Sequence, residues 1–345
     1  MKYNKLGDSD LLVSQLGLGT MTYGKQNTLE EAHQQLDYAV SQGVNFIDTS
    51  ETYPFPNTME TPGITEDYIG QWLIHQQRDQ LIIATKIAGV HPQLTWIRNG
   101  QNRIDHANVT EAVESSLKRL QTDYIDLYQI HWPDRYVPLF GEPDYDPQRE
   151  RDTVPIAEQL EVFDRLIKAG KIRYLGISNE TPWGVCEFCH SAQQLNLPKI
   201  VSIQNGFSLI NRKFHITLAE MCRFNHVGLL AYNPLGFGIL TGKYVSEIPK
   251  NSRLDLFKGI YCPDDYPNLL EAGRSYAKLA HNYGIKPVHL ALAYVRTRWF
   301  VTSTIIGTTK LEQLQENLRS IDVELDEAIL KEIDAIHRRY PNPTP

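Results

Sequence analysis

The feature that most constrains the fold is a repeating unit, a short apolar strand followed by an amphipathic helix, which recurs eight times along the chain. The strands are apolar on both faces, as strands covered on each side by helices are. Such a repeat predicts a parallel sheet covered by helices, and eight units in one domain close into a (β/α)₈ barrel. No GxGxxG motif follows the first strand, as an open dinucleotide-binding sheet would require.

We therefore predict one α/β domain over 1–345, a TIM barrel with an N-terminal β-hairpin at 1–13 and an extra C-terminal helix. The apolar runs predict core strands at 14–19, 44–48, 81–86, 124–130, 172–177, 200–203, 227–231 and 302–306. Helical periodicity indicates helices at 29–42, 66–76, 108–120, 156–169, 182–194, 215–224, 269–283, 310–318 and 326–338.

Three loops are longer than a compact barrel needs, at 54–63, 87–107 and 132–154. They follow predicted strand ends, and they contain aromatic residues that favour pocket walls over disordered insertions. The aromatic residues of the last loop are Trp132, Tyr136, Phe140 and Tyr145. Trp132 is the one we assign to the substrate pocket.

Composition excludes several classes of function. A formal net charge of -7 argues against binding to nucleic acid or anionic membranes. No segment approaches the ~20 apolar residues of a membrane span, and the first residues lack a secretion signal. Cys186 and Cys189 form a CxxC without a second pair of ligands, which indicates packing residues rather than a zinc or redox site. We expect a cytoplasmic protein, and no exposed apolar stripe indicates its oligomeric state.

Polar residues stand at or just after the ends of predicted strands, where a packed sheet would not tolerate them. They are Asp48, Tyr53, Lys86 and His131. The carboxyl ends of barrel strands meet at one face, so we expect these side chains to converge on one site.

Together these four residue types suit the reduction of a carbonyl group. A nearby lysine would lower the pKa of Tyr53 from about 10, making it a proton donor near neutral pH. Asp48 would keep Lys86 charged, and His131 would donate a hydrogen bond to the carbonyl oxygen. None of them supplies electrons, so a hydride donor must come from elsewhere.

Each residue also has a structural alternative when taken alone. Asp48 would cap a turn, and Tyr53 would be a core aromatic residue. Lys86 would extend from a strand end to water, and His131 would bond a loop carbonyl. A further chemical alternative is a Schiff-base aldolase that uses Lys86 as its nucleophile.

The second half of the chain predicts a phosphate-binding region. Gly236, Gly238 and Gly242 allow the backbone to approach a phosphate closely, and Lys243 adds positive charge there. The run Thr-Thr-Lys at 308–310 opens the last core helix, where backbone amides and the helix dipole favour an anion. A lysine with two hydroxyls suits a 2′-phosphate, which favours NADPH over NADH.

Motifs along nearly the whole chain resemble the aldo-keto reductase superfamily, most closely its branch of Tas-like bacterial reductases and potassium channel β-subunits. They are Gly-Thr-Met at 19–21, Phe-Ile-Asp-Thr at 46–49 with Tyr53, Thr-Lys at 85–86, Gln-Ile-His at 129–131, Gly-Ile-Ser-Asn at 176–179, Gln-Asn at 204–205, the run 231–244, and Ile-Gly-Thr-Thr-Lys at 306–310.

The resemblance implies an NADPH-dependent reductase of small-molecule aldehydes and ketones, with Tyr53 as proton donor. It also leaves open an NADPH-binding sensor or regulatory subunit with little turnover. The residues it implies for NADP binding are Thr20, Met21, Gln26, Asp48, Ser178, Asn179, Gln204, Tyr232, Asn233, Pro234, Leu235, Gly236, Phe237, Gly238, Ile239, Leu240, Thr241, Gly242, Lys243, Arg253, Gly307, Thr309, Lys310, Gln313, Glu316 and Asn317.

Overall fold

The computed structural model describes residues 1–139, 141–142, 144–257 and 265–344. The strands are β1 (Tyr3–Lys5), β2 (Leu12–Ser14), β3 (Leu16–Gly19), β4 (Phe46–Asp48), β5 (Ile82–Ile87), β6 (Ile125–Ile130), β7 (Ile172–Ser178), β8 (Ile200–Gly206), β9 (Gly228–Tyr232) and β10 (Val301–Gly307). Phe140, predicted to be a pocket wall, lies outside the described residues.

The helices alternate with the core strands along the chain. They are α1 (Leu29–Ser41), α2 (Ile64–Leu73), α3 (His106–Leu120), α4 (Ile156–Lys168), α5 (Pro182–Leu195), α6 (Lys213–Thr217), α7 (Ala219–Asn225), α8 (Arg253–Leu256), α9 (Leu269–Asn282), α10 (Pro287–Arg296), α11 (Leu311–Arg319) and α12 (Glu327–Arg339). Among these described helices, none is both long and apolar enough to cross a membrane.

The core is a closed barrel of parallel strands in the order β10-β3-β4-β5-β6-β7-β8-β9, with β9 hydrogen-bonded back to β10. The predicted (β/α)₈ barrel is therefore confirmed. In the register, Lys86 lies beside Gln129, and Ser178 beside Gln204. These pairs bring polar side chains of several strands to the same level at the carboxyl end of the barrel.

The predicted N-terminal hairpin is confirmed as the antiparallel pair β1 and β2, and it packs against the amino end of the barrel. Its apolar residues Leu6, Leu11 and Val13 are buried with inward-facing residues of the core strands, among them Phe46 and Leu127. Apolar side chains therefore fill the interior of the barrel at this end, and the polar interior residues lie at the opposite end.

Apart from the single turn α8, the observed helices differ from the prediction in two regions. The helix expected over 215–224 is divided at Leu218, whose φ of -122° and ψ of -24° depart from helical values. The helix Pro287–Arg296 was not predicted at all. Residues 290–295 are all buried, so the helix has no polar face over this stretch to produce the periodicity of an amphipathic helix.

Candidate active site

A buried ion pair lies at the centre of the carboxyl end of the barrel. Asp48 ends β4 and is 2% exposed, while Lys86 on β5 is fully buried. Lys86 Nζ donates to Asp48 Oδ2 at 2.6 Å and to the backbone oxygen of Thr49 at 2.7 Å. Burial lowers the pKa of Lys86, and the Asp48 carboxylate opposes that lowering. Asp48 therefore holds the lysine and does not cap a turn, and Lys86 does not extend to water.

Two glutamine amides hold the other oxygen of Asp48. Gln129 on β6 and Gln204 on β8 donate to Asp48 Oδ1 at 3.0 and 2.8 Å. Gln204 Nε2 also lies 3.3 Å from Gln129 Oε1, so the two amides support each other. Gln129 was missed by the sequence analysis. Its signal is a polar residue within the strand Ile125–Ile130, all of whose residues are buried.

Tyr53 lies against this ion pair. Lys86 Nζ is 5.0 Å from the centroid of the Tyr53 ring, and the ring packs edge-on against His131 at 5.7 Å. Burial raises the pKa of Tyr53, Asp48 raises it further, and Arg253 lowers it. The predicted lowering by Lys86 was therefore wrong for the protein alone, because burial disfavours the phenolate and the Asp48 charge opposes that of the lysine.

His131 directly follows β6, and its surroundings favour the neutral imidazole. Burial, with a smaller contribution from the Lys86 charge, lowers its pKa well below the usual 6.5. The Nδ1 atom lies 3.0 Å from Ser50 Oγ. The neutral ring keeps one N–H and one lone pair, so it can act as a hydrogen-bond donor on one side only.

Trp132 packs against His131, with ring centroids 4.6 Å apart. It is buried in an apolar cluster with Ala88, Leu94 and Ile97, and its Nε1 donates to Val90 O at 3.2 Å. The tryptophan therefore ties the loop after β5 to the loop after β6, at the position where a substrate wall was expected.

The strand ends next to His131 are joined by side-chain hydrogen bonds. Asn179 Nδ2 donates to His131 O at 2.9 Å, and Tyr232 OH donates to Asn179 Oδ1 at 2.7 Å. Ser178 Oγ donates to the backbone oxygen of Gln204 at 2.7 Å. The structure thus brings these four predicted cofactor residues to the same end of the barrel as Asp48.

The glycine-rich segment after β9 is a tight irregular loop. Gly236, Phe237 and Gly238 all have positive φ values, of 54°, 56° and 89°. Asn233 Oδ1 accepts from the Phe237 amide at 2.8 Å and holds the loop in this shape. The Arg253 guanidinium lies 5.3 Å from the Phe237 ring centroid, at the edge of the same loop.

The residues predicted for the adenosine end lie around the start of α11. Gln313 Oε1 accepts from the Thr309 amide at 3.0 Å, and Lys310 is exposed just before the helix. Glu316, also predicted to bind the cofactor, already has partners in the protein. Its carboxylate lies 2.7 Å from Lys286 Nζ and 2.6 Å from His289 Nε2.

Residues 15–338 match the Aldo/keto reductase family. The chain belongs to this family. It is 45% identical over 347 residues to Protein tas of Escherichia coli (strain K12), with 100% of each chain covered. It is 29% identical over 350 residues to norsolorinic acid reductase B of Dothistroma septosporum, covering 98% of this chain and 82% of that protein. It is 28% identical over 355 residues to the "Probable voltage-gated potassium channel subunit beta" of Oryza sativa subsp. japonica, covering 100% and 99%.

As an aldo/keto reductase the protein is an oxidoreductase, of a family that acts on small-molecule carbonyl compounds and generally uses NAD(P)H. The full-length match confirms the family resemblance read from the motifs. The family match alone leaves the nucleotide and the substrate open, so both depend on the residues of this chain.

The residues of this aldo/keto reductase fit an anionic dinucleotide. Gln26 Oε1 is buried and has no hydrogen-bond partner within the described part of the chain, so it can accept from a hydroxyl or amino group of the nucleotide. A Cβ on Gly238 would lie 2.9 Å from Lys243 Nζ, so this glycine makes room for the ammonium over the loop. Lys243 and Arg253 add positive charge at this loop. Among the described residues, no group of His, Cys, Asp and Glu side chains forms a metal site.

Proposed function

We propose that this protein reduces aldehydes or ketones to alcohols with NADPH, and that Tyr53 donates the proton. When bound, NADPH supplies the hydride. The observation that supports the proposal is the buried Lys86–Asp48 pair beneath Tyr53, with neutral His131 at its edge. This arrangement allows His131 to donate a hydrogen bond to the carbonyl oxygen while Tyr53 holds a proton for it.

The raised pKa of Tyr53 suits this role. A phenol that keeps its proton in the resting site gives it up only to a strong base, such as the alkoxide oxygen of a reduced carbonyl. Lys86 Nζ, 5.0 Å from the phenol ring, would then favour the phenolate left behind. Burial disfavours the protonated lysine, and the Asp48 carboxylate favours the charged form that this role needs.

We further propose that NADPH binds along the loop after β9 and the start of α11. The positive φ values of Gly236 and Gly238, and the room that Gly238 leaves for the Lys243 ammonium, support binding of the pyrophosphate beside Lys243. Lys310, exposed next to Thr309, supports a 2′-phosphate and therefore NADPH over NADH. Gln204, Ser178 and the other residues predicted for the cofactor complete the proposed site. We also propose that residues 1–345 form a single domain.

A second candidate is an NADPH-binding regulatory subunit, favoured by the plant relative named as a potassium channel subunit. It would use the same cleft and bind NADPH tightly without turnover. The Schiff-base alternative is less consistent with the structure, because the fully buried Lys86 Nζ is held by Asp48 at 2.6 Å and by the Thr49 carbonyl at 2.7 Å and is not free to attack a carbonyl carbon.

Steady-state NADPH oxidation with a panel of aldehydes tests these functions. We expect turnover in the wild type and a fall in kcat of roughly 10²- to 10⁴-fold in Tyr53→Phe. The matched control is Tyr23→Phe, since Tyr23 is also buried and its hydroxyl has no partner among the described residues. Tight NADPH binding without turnover would instead support the regulatory subunit, and a borohydride-trapped adduct on Lys86 would support the aldolase.

A further inference from the structure

Two hydroxyl residues, Ser50 and Thr52, lie between Asp48 and Tyr53 and have no role in the chemistry described above. Both side chains are buried, with 0% and 4% of their surface exposed. Buried hydroxyls must find hydrogen-bond partners inside the protein, so their contacts show what they hold in place.

Ser50 Oγ makes three contacts. The backbone N–H of Thr52 donates to it at 3.2 Å. Thr52 Oγ1 and His131 Nδ1 each lie 3.0 Å from it. A serine hydroxyl has one proton and two lone pairs, so these three contacts use its whole capacity. One lone pair is taken by the Thr52 amide, which leaves one proton and one lone pair for Thr52 Oγ1 and His131.

The Thr52 proton decides between the two remaining arrangements. In the first, Thr52 donates to Ser50 and Ser50 donates to His131 Nδ1, so every proton has an acceptor. In the second, His131 donates to Ser50 and Ser50 donates to Thr52. The Thr52 proton then has no acceptor among the described residues, and a buried donor left without an acceptor is costly. The first arrangement is therefore the stable one.

We infer that Ser50 is a positioning residue, which donates to His131 Nδ1 and so holds the imidazole as the tautomer with its proton on Nε2. That proton is left for a ligand, because Nδ1 is occupied by Ser50 and Nε2 has no partner within the described chain. The inference rests on the proposed function, in which His131 donates to the carbonyl oxygen. The opposite tautomer would present a lone pair to that oxygen and repel it.

Because the pKa of His131 is lowered, the tautomer of the neutral ring determines which nitrogen can donate a hydrogen bond. A protonated imidazolium would carry a proton on both nitrogens and would donate in either case. A neutral ring donates from one nitrogen only, so the residue bonded to Nδ1 controls what the other nitrogen can do.

The test is ring-¹⁵N NMR of histidine-labelled protein, with the His131 signals assigned by their absence in His131→Asn. We expect the wild type to show an unprotonated, hydrogen-bonded Nδ1 and a protonated Nε2 at neutral pH. In Ser50→Ala the Nδ1 bond is lost, so both tautomers should appear and the signals should shift toward those of a free imidazole.

Thr52→Val and Ser202→Ala are the matched variants. Thr52→Val should keep the Nε2–H tautomer, because His131 remains the only acceptor for the Ser50 proton. Ser202 on β8 is also a fully buried serine, and its hydroxyl has no partner in the described structure. Ser202→Ala therefore reproduces the loss of a buried hydroxyl away from His131 and should change neither the spectrum nor kcat.

In Ser50→Ala we expect kcat to fall by about three- to tenfold with the Kd for NADPH unchanged. A wild-type spectrum with the proton on Nδ1 would overturn the inference. A fall in kcat with an unchanged His131 tautomer would also overturn it, since the effect would then be structural. The spectra are recorded without substrate, so they decide the tautomer even if the aldehyde panel shows no turnover and the proposed function fails.

Discussion

The two ends of the barrel each contain a buried aspartate on a core strand, but the partners differ. At the carboxyl end, Asp48 holds the fully buried Lys86. At the amino end, Asp126 on β6 holds two arginines that reach the surface. Arg78 and Arg173 each donate to its carboxylate at 2.7 Å, and the Ile83 amide donates at 3.0 Å.

The difference in partners indicates that the cluster at the amino end stabilises the barrel, whereas the pair at the carboxyl end serves the chemistry. The arginines at the amino end remain charged in any protein environment and stay partly hydrated, so this cluster joins β5, β6 and β7 without storing a reactive proton. At the carboxyl end the buried lysine has a lowered pKa and lies beneath a tyrosine. A charge buried with a titratable partner is a feature of functional sites.

Lys86→Met should have the largest effect, because it leaves the Asp48 carboxylate buried without its cation. We expect a loss of about 3–5 kcal/mol in the free energy of unfolding and at least roughly 10²-fold in kcat. Chemical denaturation and NADPH oxidation measure the two effects. The double variant Asp48→Asn/Lys86→Met should regain most of the stability and none of the activity. If the double variant is no more stable than Lys86→Met, the unpaired charge is not the cause.

Asp126→Ala should lower the stability of the protein without lowering its turnover. The arginines can turn to water, since 17% and 40% of their side-chain surfaces are already exposed, whereas the Ile83 amide loses its acceptor. We expect the free energy of unfolding to fall by about 2 kcal/mol. The kcat of the folded protein should stay within about twofold of wild type. A large fall in kcat would show that the amino end contributes to the chemistry after all.

The neutral His131 makes the carboxyl end sensitive to pH. The pKa of His131 is lower in the folded protein than in the unfolded chain. Below about pH 6.5, His131 is therefore protonated in the unfolded chain but not in the folded protein. The free energy of unfolding should therefore fall as pH falls, with His131 contributing up to about 1.4 kcal/mol per pH unit. Denaturation of wild type and His131→Asn at pH 7, 6 and 5 measures this contribution. Parallel curves for the two proteins would refute it.

The smallest effect is expected at the outer edge of the amino-end cluster. Asp10 of the hairpin pairs with Arg173 at 3.0 Å, but 68% of the Asp10 side chain is exposed. Solvent screens such a pair, so Asp10→Ala should cost less than about 1 kcal/mol. Thermal unfolding at low and high salt checks this, and a loss as large as that of Asp126→Ala would mean that the exposed pair anchors the hairpin.

Most of the barrel could be predicted from the sequence because its elements have simple periodicities. The strands are short apolar runs, and helices such as Ile156–Lys168 have one apolar face. The helix Pro287–Arg296 was missed because packing on all sides removes the polar face that marks a helix. The helix over 215–224 was extended through Leu218, whose backbone angles are set by its surroundings and not by its residue type.

The candidate site was predictable to the level of residues but not of atoms. Asp48, Lys86 and His131 stand at the ends of successive strands, and barrel topology alone places such ends together. The roles of Gln129 and Ser50 were not predictable, since a glutamine or a serine in a sequence does not show which atom it will meet. The direction of the Tyr53 pKa shift was wrongly predicted for the same reason.

The sequence by itself therefore determined the order of strands and helices, the closed parallel barrel and the residue types at its carboxyl end. These follow from periodicity and residue chemistry, which are local properties. Only the tertiary structure decided which charges cancel and where each proton lies. Those outcomes depend on distances of about 3 Å between residues far apart in the chain, such as the 2.8 Å from Gln204 to Asp48.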